Sequence, residues 1–491
     1  MSAPLPEGFN LANHVLNAAR VRPDKVALAV LSPARAKRWS FAALEDRVLR
    51  IASGLLAQGL TPGDRVLLRL GNTPDFPVAL LAAIAVGLVP VPTSAQLTVP
   101  EISRLADAIA PRLILAQPGI ALPDPLPGPV VPDLDALATH QRATYRMGDP
   151  DDLAYLVFTS GTSGRPRAVA HAHRAILARA MMHDGWYGLR ASDRLLHAGA
   201  FNWTFTLGTG LLDPWSVGAT ALIPAEGTDA TALPLLLKRH DATLFAAAPG
   251  IYRQMLRAGL PSLPHLRHGL SAGEKLPELL REGWQAATGT TIHEALGMSE
   301  CSTFVSGSPD RCAPPGTLGF AQPGRRIAIL DAGGDPVVPG ETGTLAIHRS
   351  DPGLMLGYET QDGRELPLTG DWFVTGDMVH ERPDGALVYH GRADDMLNAG
   401  GFRVSPLEIE AAFAPLTGDC AAVSVEIRPQ THIICLAHCS DQDEDALNRH
   451  AETCLARYKQ PRRYHRLDAL PRGANGKLNR RALVQALKEA P

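Results

Sequence analysis

From Ser40 to Gln58 apolar residues recur at helical spacing, with Ser40 placed to cap the first turn and Gly59 to end the last. Arg65-Val66-Leu67-Leu68-Arg69-Leu70 then reads as a strand, Phe76 to Val86 as a helix, and Leu88-Val89-Pro90-Val91 as a short strand. This strand, helix, strand order predicts an α/β layer with at least partly parallel strands. Leu113-Ile114-Leu115-Ala116, Thr220-Ala221-Leu222-Ile223 and Thr243-Leu244-Phe245-Ala246 repeat the theme. The Pro-rich stretch from Leu122 to Pro132 reads as a surface connector.

A chain of 491 residues is too long for one ordinary domain. Beyond about residue 316 the texture becomes short strand-like pieces punctuated by Gly, Pro and Asp, which predicts a β-rich subdomain over about 316–391 within an N-terminal domain of residues 1–391. Residues 392–491 form a further unit, with helices from Pro406 to Phe413 and Glu444 to Arg457 and strands from Ala422 to Ile427 and His432 to Ala437. The expected architecture is a large N-terminal α/β domain with mixed sheets, that β-rich subdomain, and a small α+β C-terminal domain.

Net charge is −3, from 47 basic and 50 acidic residues, which argues against nucleic-acid binding by general electrostatics. The basic end, including Arg462, Arg463, Arg466, Lys477, Arg480 and Arg481, suggests a small polyanionic ligand, although a solvated charged face reads the same way. Six cysteines without a Cys-x-x-Cys pair, in a long chain, read as reduced. The start MSAPLPEGFN lacks the basic and apolar regions of a signal peptide, and the stretch from Phe76 to Pro92 is too short and interrupted to span a bilayer, so no membrane role and a cytoplasmic location are expected.

The apolar run from Leu153 to Phe158 leads into Thr159-Ser160-Gly161-Thr162-Ser163-Gly164-Arg165-Pro166-Arg167. Its glycines free the backbone and its hydroxyls supply donors for an anion, while Arg165 and Arg167 add charge. Taken alone the loop is as readily a Gly/Ser turn. GxxxxGK[ST] is absent, which disfavours a P-loop NTPase.

The loop resembles the phosphate-binding signature of the adenylate-forming (AMP-binding) superfamily, which includes acyl-CoA synthetases, luciferases and amino-acid adenylation domains. Further segments that resemble family motifs follow in order over essentially the whole chain: Ser271-Ala272-Gly273-Glu274, His293-Glu294-Ala295-Leu296-Gly297-Met298-Ser299-Glu300, Thr375-Gly376-Asp377, Gly391-Arg392-Ala393-Asp394-Asp395 with Gly400-Gly401-Phe402-Arg403, and Gly473-Ala474-Asn475-Gly476-Lys477. The wording is closest to benzoate-type and short- to medium-chain acyl-CoA ligases.

The resemblance implies an acid–CoA ligase working through an acyl-adenylate, with ATP, Mg2+ and coenzyme A. Nucleotide would lie along Thr159 to Gly164, Arg167, Gly273, Glu274 and Ala295 to Ser299. Asp377 would hold the ribose hydroxyls with Arg392 beside it. Glu300 would serve the metal, and Arg403 the α-phosphate. Lys477 would be the catalytic ammonium, stabilising charge that builds at the α-phosphorus. Asp394 is the implied hinge of a mobile C-terminal domain, and Gly400 and Gly401 leave room for the pantetheine arm. Phe201, Trp203, Phe205 and Ala247 fall where the acyl pocket is expected, with Trp203 and Phe205 reading equally well as core aromatics. No aspartate near Asn202 is evident to hold an amine, which disfavours an amino acid as substrate.

Partners would therefore be a small aromatic or short- to medium-chain acid, ATP and CoA, in a monomer or homodimer. Transfer to a carrier-protein phosphopantetheine and a catalytically silent nucleotide-binding regulator are the alternatives. Arg167 stands in place of the usual lysine, and Leu296 where an aromatic is common. His171 and His173 alternate on a strand and could both face a metal, but no third ligand suggests itself, and Cys301 is not expected to act as a nucleophile.

Overall fold

The computed structural model describes residues 6–159, 166–399, 402–428, 431–455, 457, 459–473 and 476–489. Its largest element is a nine-stranded mixed sheet. The strands Val26–Leu31, Thr220–Pro224, Arg194–Ala198, Leu244–Ala247, His268–Ala272 and Ile292–Met298 run parallel to their neighbours through its centre. Ala36–Ser40 closes one edge antiparallel, and Ser302–Ser306 with Phe320–Ala321 closes the other. These central strands are buried almost throughout, their apolar residues interspersed with buried polar ones such as His197, Ser271 and Glu294.

The parallel layer expected from the first hundred residues is a separate four-stranded sheet ordered Val89–Pro92, Arg65–Arg69, Leu113–Ala116, Val130–Val131. The helix Phe41–Ala57, packed on the strands Val26–Leu31 and Ala36–Ser40 of the large sheet, is capped by Ser40, whose hydroxyl accepts the Ala43 N–H, and buries Leu44, Val48, Ile51, Ala52 and Leu55 on one stripe. Asp75–Ala85 is apolar all round and buried almost throughout, as expected for a helix enclosed by the core.

The stretch 316–391 is less self-contained than its sequence texture suggests. Ile327–Leu330, Gly343–His348, Trp372–Glu381 and Leu387–Arg392 do form an antiparallel sheet. Gly357–Thr360, however, leaves it to pair with Arg167–Ala172, and Phe320–Ala321 joins the large sheet. Leu345, Ile347, Val379 and Leu387 pack into the same core as Leu44 and Val78.

Beyond Arg392 the chain builds cores of its own. Leu397, Val404, Ile409, Phe413, Leu436 and Leu447 form one, and Ala421, Val423, Cys435, Leu483 and Leu487 another. They lie on the two faces of a sheet of Cys420–Arg428, Thr431–His438 and Arg463–Arg466, flanked by helices Pro406–Thr417, Glu444–Cys454 and Arg480–Glu489. Among the described residues, no helix is long and apolar enough to cross a membrane.

Candidate active site

Four neighbouring strands of the large sheet, Arg194–Ala198, Leu244–Ala247, His268–Ala272 and Ile292–Met298, run parallel. Their carboxyl ends therefore share one edge, where open α/β sheets bind ligands. The segments singled out in the sequence leave from these ends: Phe201 to Phe205, Ala248, Gly273-Glu274 and Ser299-Glu300.

Gly273 has φ +97°, and a Cβ there would stand 2.5 Å from Cζ2 of Trp203, so only glycine allows the indole to lie against this backbone. Lys477 Nζ lies 5.7 Å from the Trp203 ring, Trp203 is edge-on to Phe205 at 5.5 Å, and Phe205 edge-on to His197 at 4.6 Å. An aromatic row thus runs inward from the lysine.

Two of the pocket residues are placed elsewhere. Phe201 packs on Phe76 at 5.8 Å within the main core, its N–H held by Asn72. Ala247 falls on the opposite face of the sheet, clustered with Leu196, Phe245 and Tyr252, because side chains alternate along a strand. Ala246, one residue earlier, shares a cluster with Phe205.

Thr159 ends the strand Leu153–Thr159 and pairs with Arg167 at the start of the next strand. Ser160, Gly161, Thr162, Ser163 and Gly164 lie outside the described residues, as do Gly400, Gly401 and the side chain of Arg403. Arg167 stacks on the ring of Tyr358, its guanidinium 3.2 Å from the centroid. Tyr358 in turn donates its hydroxyl to Glu300 Oε1 at 2.8 Å, and burial raises the pKa of that phenol. Glu300 is buried, and its second oxygen accepts no hydrogen bond among the described residues.

Ala295 to Met298 finish their strand with a register shift between Leu296 and Gly297, and the carbonyl of Ser299 meets His171 Nε2 at 2.7 Å. His173 accepts the N–H of Leu11, so the two histidines do not converge on a metal. Cys301 is buried; burial pushes its thiol up to about 12, and Arg325 donates to its sulfur at 2.6 Å.

Asp377 and Arg392 are register partners across two antiparallel strands, and Arg392 Nη1 lies 3.6 Å from Asp377 Oδ1. Tyr389 donates its hydroxyl to the same oxygen at 3.2 Å, and Thr375 Oγ1 accepts the Asp377 N–H. Burial raises the Asp377 pKa against the pull of Arg392. Arg392 Nε also reaches Asp394 at 3.4 Å, in the turn where the chain leaves the sheet.

Lys477 enters this space from the C-terminal unit. Burial lowers its pKa, while Glu274, Asp377 and Glu300 favour its charged form. The structure thus brings Lys477 near Trp203, Glu274, Glu300, Asp377 and Arg392, with Gly273 against the Trp203 indole. Tyr358 and Tyr389 escaped the reading of the sequence; alternation along their strands was their only local signal, and no motif marks them.

The AMP-binding enzyme family model matches residues 15–359. The chain is 30% identical over 499 residues to a 3-hydroxybenzoate–CoA ligase of Aromatoleum sp., covering 92% of each chain. A solved benzoate CoA ligase from Burkholderia xenovorans superposes with a TM-score of 0.87 at 28% identity, covering 97% of this chain and 99% of that one. A solved anthranilate CoA ligase in complex with anthranoyl-AMP gives 0.87 at 25% identity, covering 98% of each chain. With its motifs in order along both domains and its sheet edge furnished as described, the chain belongs to the AMP-binding enzyme family.

Proposed function

We propose that this protein is an ATP-dependent carboxylate–CoA ligase acting on a small aromatic acid. The acid carboxylate attacks the α-phosphorus of ATP and expels pyrophosphate. The thiol of CoA then attacks the acyl carbon of the resulting acyl-adenylate, releasing AMP and leaving the thioester. The observation that carries this reading is the meeting of Lys477 with Glu274, Glu300, Asp377 and Arg392 at the edge lined by Trp203 and Phe205.

In this reading each group has one task. Asp377, oriented by Tyr389 and Thr375, accepts from the ribose hydroxyls. The ammonium of Lys477 stabilises the charge that builds at the α-phosphate, a role worth on the order of hundredfold or more in rate. The opening loop from Thr159 cradles phosphate, and Trp203 and Phe205 face the acid. Glu300 suits Mg2+, which takes hard oxygen ligands and few from protein; when bound, the ion neutralises phosphate charge. Tyr358, itself braced by Arg167, fixes the Glu300 carboxylate for that task. The C-terminal unit pivots at Asp394 between the two half-reactions.

Incubating the protein with ATP, CoA and a mixture of aromatic and C2 to C12 aliphatic acids, then identifying thioesters by mass, tests the proposal. Aryl-CoA and AMP are expected. Pyrophosphate release without any CoA thioester contradicts it and points to a carrier-protein acceptor.

A further inference from the structure

The segment after Trp203 and the strand after Glu300 help enclose a small cavity whose wall includes Tyr155, His171, Arg179, Thr204, Gly208 and Ser302. Its polar groups are unusual for so deep a place. Arg179 and Asp213 are 5% and 0% exposed and paired at two points, Nη2 to Oδ2 at 2.5 Å and Nε to Oδ1 at 2.9 Å. The hydroxyls of Tyr187 and Thr209 complete the pair, and Arg179 Nη1 donates to Ser302 Oγ. The guanidinium lies over Gly208, where a Cβ would come within 2.1 Å of Cζ.

His171 forms another part of the wall, 2% exposed and stacked on Tyr155 at 4.9 Å. Its Nε2 faces the Ser299 carbonyl, which only accepts, so Nε2 carries the proton. Burial lowers the pKa of the ring to about 4, so the imidazole is neutral. Nδ1 is then a bare acceptor, buried and without a partner among the described residues. Such an atom is costly in a protein interior unless something donates to it.

We infer that this cavity is the end of the acid pocket and selects a hydroxyl substituent, with His171 Nδ1 accepting from that hydroxyl and the Arg179–Ser302 side donating to it. This rests on the ligase reading above. The chemistry separates substituents. A hydroxyl both donates and accepts. A methyl group leaves Nδ1 unsatisfied, and a second carboxylate brings a buried charge to an arginine already neutralised by Asp213. Thr204, which lines the cavity, follows Trp203 in the chain, and Lys477 Nζ lies 5.7 Å from the Trp203 ring, so a hydroxyl reaching the cavity would sit on the ring away from the carboxyl that reacts beside Lys477.

The test compares kcat/KM for CoA-thioester formation by the full-length protein with benzoate, the three hydroxybenzoates and the three methylbenzoates. One hydroxybenzoate isomer is expected to exceed benzoate and its methyl counterpart by about tenfold, the worth of one well-placed hydrogen bond. His171→Phe keeps an aromatic ring beside Tyr155 but removes the acceptor, and should bring that ratio close to one. Thioesters formed with benzoate at least as fast as with every hydroxybenzoate overturn the inference while leaving the ligase reading intact, and this wild-type series decides even if the variant does not fold. An unchanged ratio in folded His171→Phe also overturns it. No thioester from any acid overturns both.

Discussion

Arg472 of the C-terminal unit and Glu274 of the loop after strand His268–Ala272 face each other at 3.7 Å across the domain boundary. Arg472 also donates to both oxygens of Asp419 at 3.0 Å and to the carbonyl of Gly476 at 3.0 Å, and Arg253 of the large domain lies 3.8 Å from Asp419. Charges of alternating sign therefore cross from one domain to the other at the base of the loop that presents Lys477. Arg472→Gln is expected to slow acyl-adenylate formation about three- to tenfold, in line with a partly exposed ion pair. Pyrophosphate exchange measured beside thioester formation from preformed acyl-adenylate checks this: only the first should fall, and equal loss of both would show that Arg472 merely stabilises the fold.

A second expectation concerns pH. Burial holds the Lys477 ammonium below the ordinary lysine value, with Arg392 adding to the effect and Glu274, Asp377 and Glu300 opposing it. The charged form is present below the lowered pKa and lost above it. Pyrophosphate exchange should therefore decline on the alkaline side before an exposed lysine, near about 10.4, would lose its proton. Lys477→Arg, which keeps its charge, should move that decline to higher pH; an identical alkaline limb in the variant would assign it to another group.

Stability in acid should follow Asp213. Burial opposes its ionisation, yet Arg179 and the hydrogen bonds around it hold the carboxyl down to about 2. A depressed carboxyl contributes stability above its unfolded value of about 3.9, and that contribution disappears as pH falls through about 2. Asp213→Asn leaves the Arg179 charge buried without its anion and is expected to cost about 3 to 5 kcal/mol at neutral pH. Denaturant unfolding of parent and variant measures this, and coincident curves would contradict it.

Much of this molecule is legible in its residue order, because local rules and tertiary structure agree. Ser40 caps the helix its spacing announces, and the apolar run from Leu153 to Phe158 lies in a strand that pairs antiparallel with Arg167–Ala172. What stays hidden depends on distant pairing. Tyr358 reaches Glu300 from 58 residues away, through a strand that abandons its neighbours for another sheet. Ala247 turns to the wrong face by the parity of one residue, which a motif match does not resolve. The strand Arg463–Arg466 is too polar to announce itself, and the helix Arg480–Glu489 is masked by its basic start. The Arg179–Asp213 pair has no local signature, since each residue resembles a surface charge until packing encloses it.

The central claim is that Lys477 serves the attack of an acid on ATP within a two-step ligase. Lys477→Ala assayed for acid-dependent pyrophosphate exchange, and separately for thioester formation from a synthetic aryl-adenylate and CoA, tests it most directly. The expected result is a loss of about a hundredfold or more in exchange, with thioester formation from the adenylate largely retained. Exchange that survives in the variant would contradict the role assigned to this lysine and the account built around it.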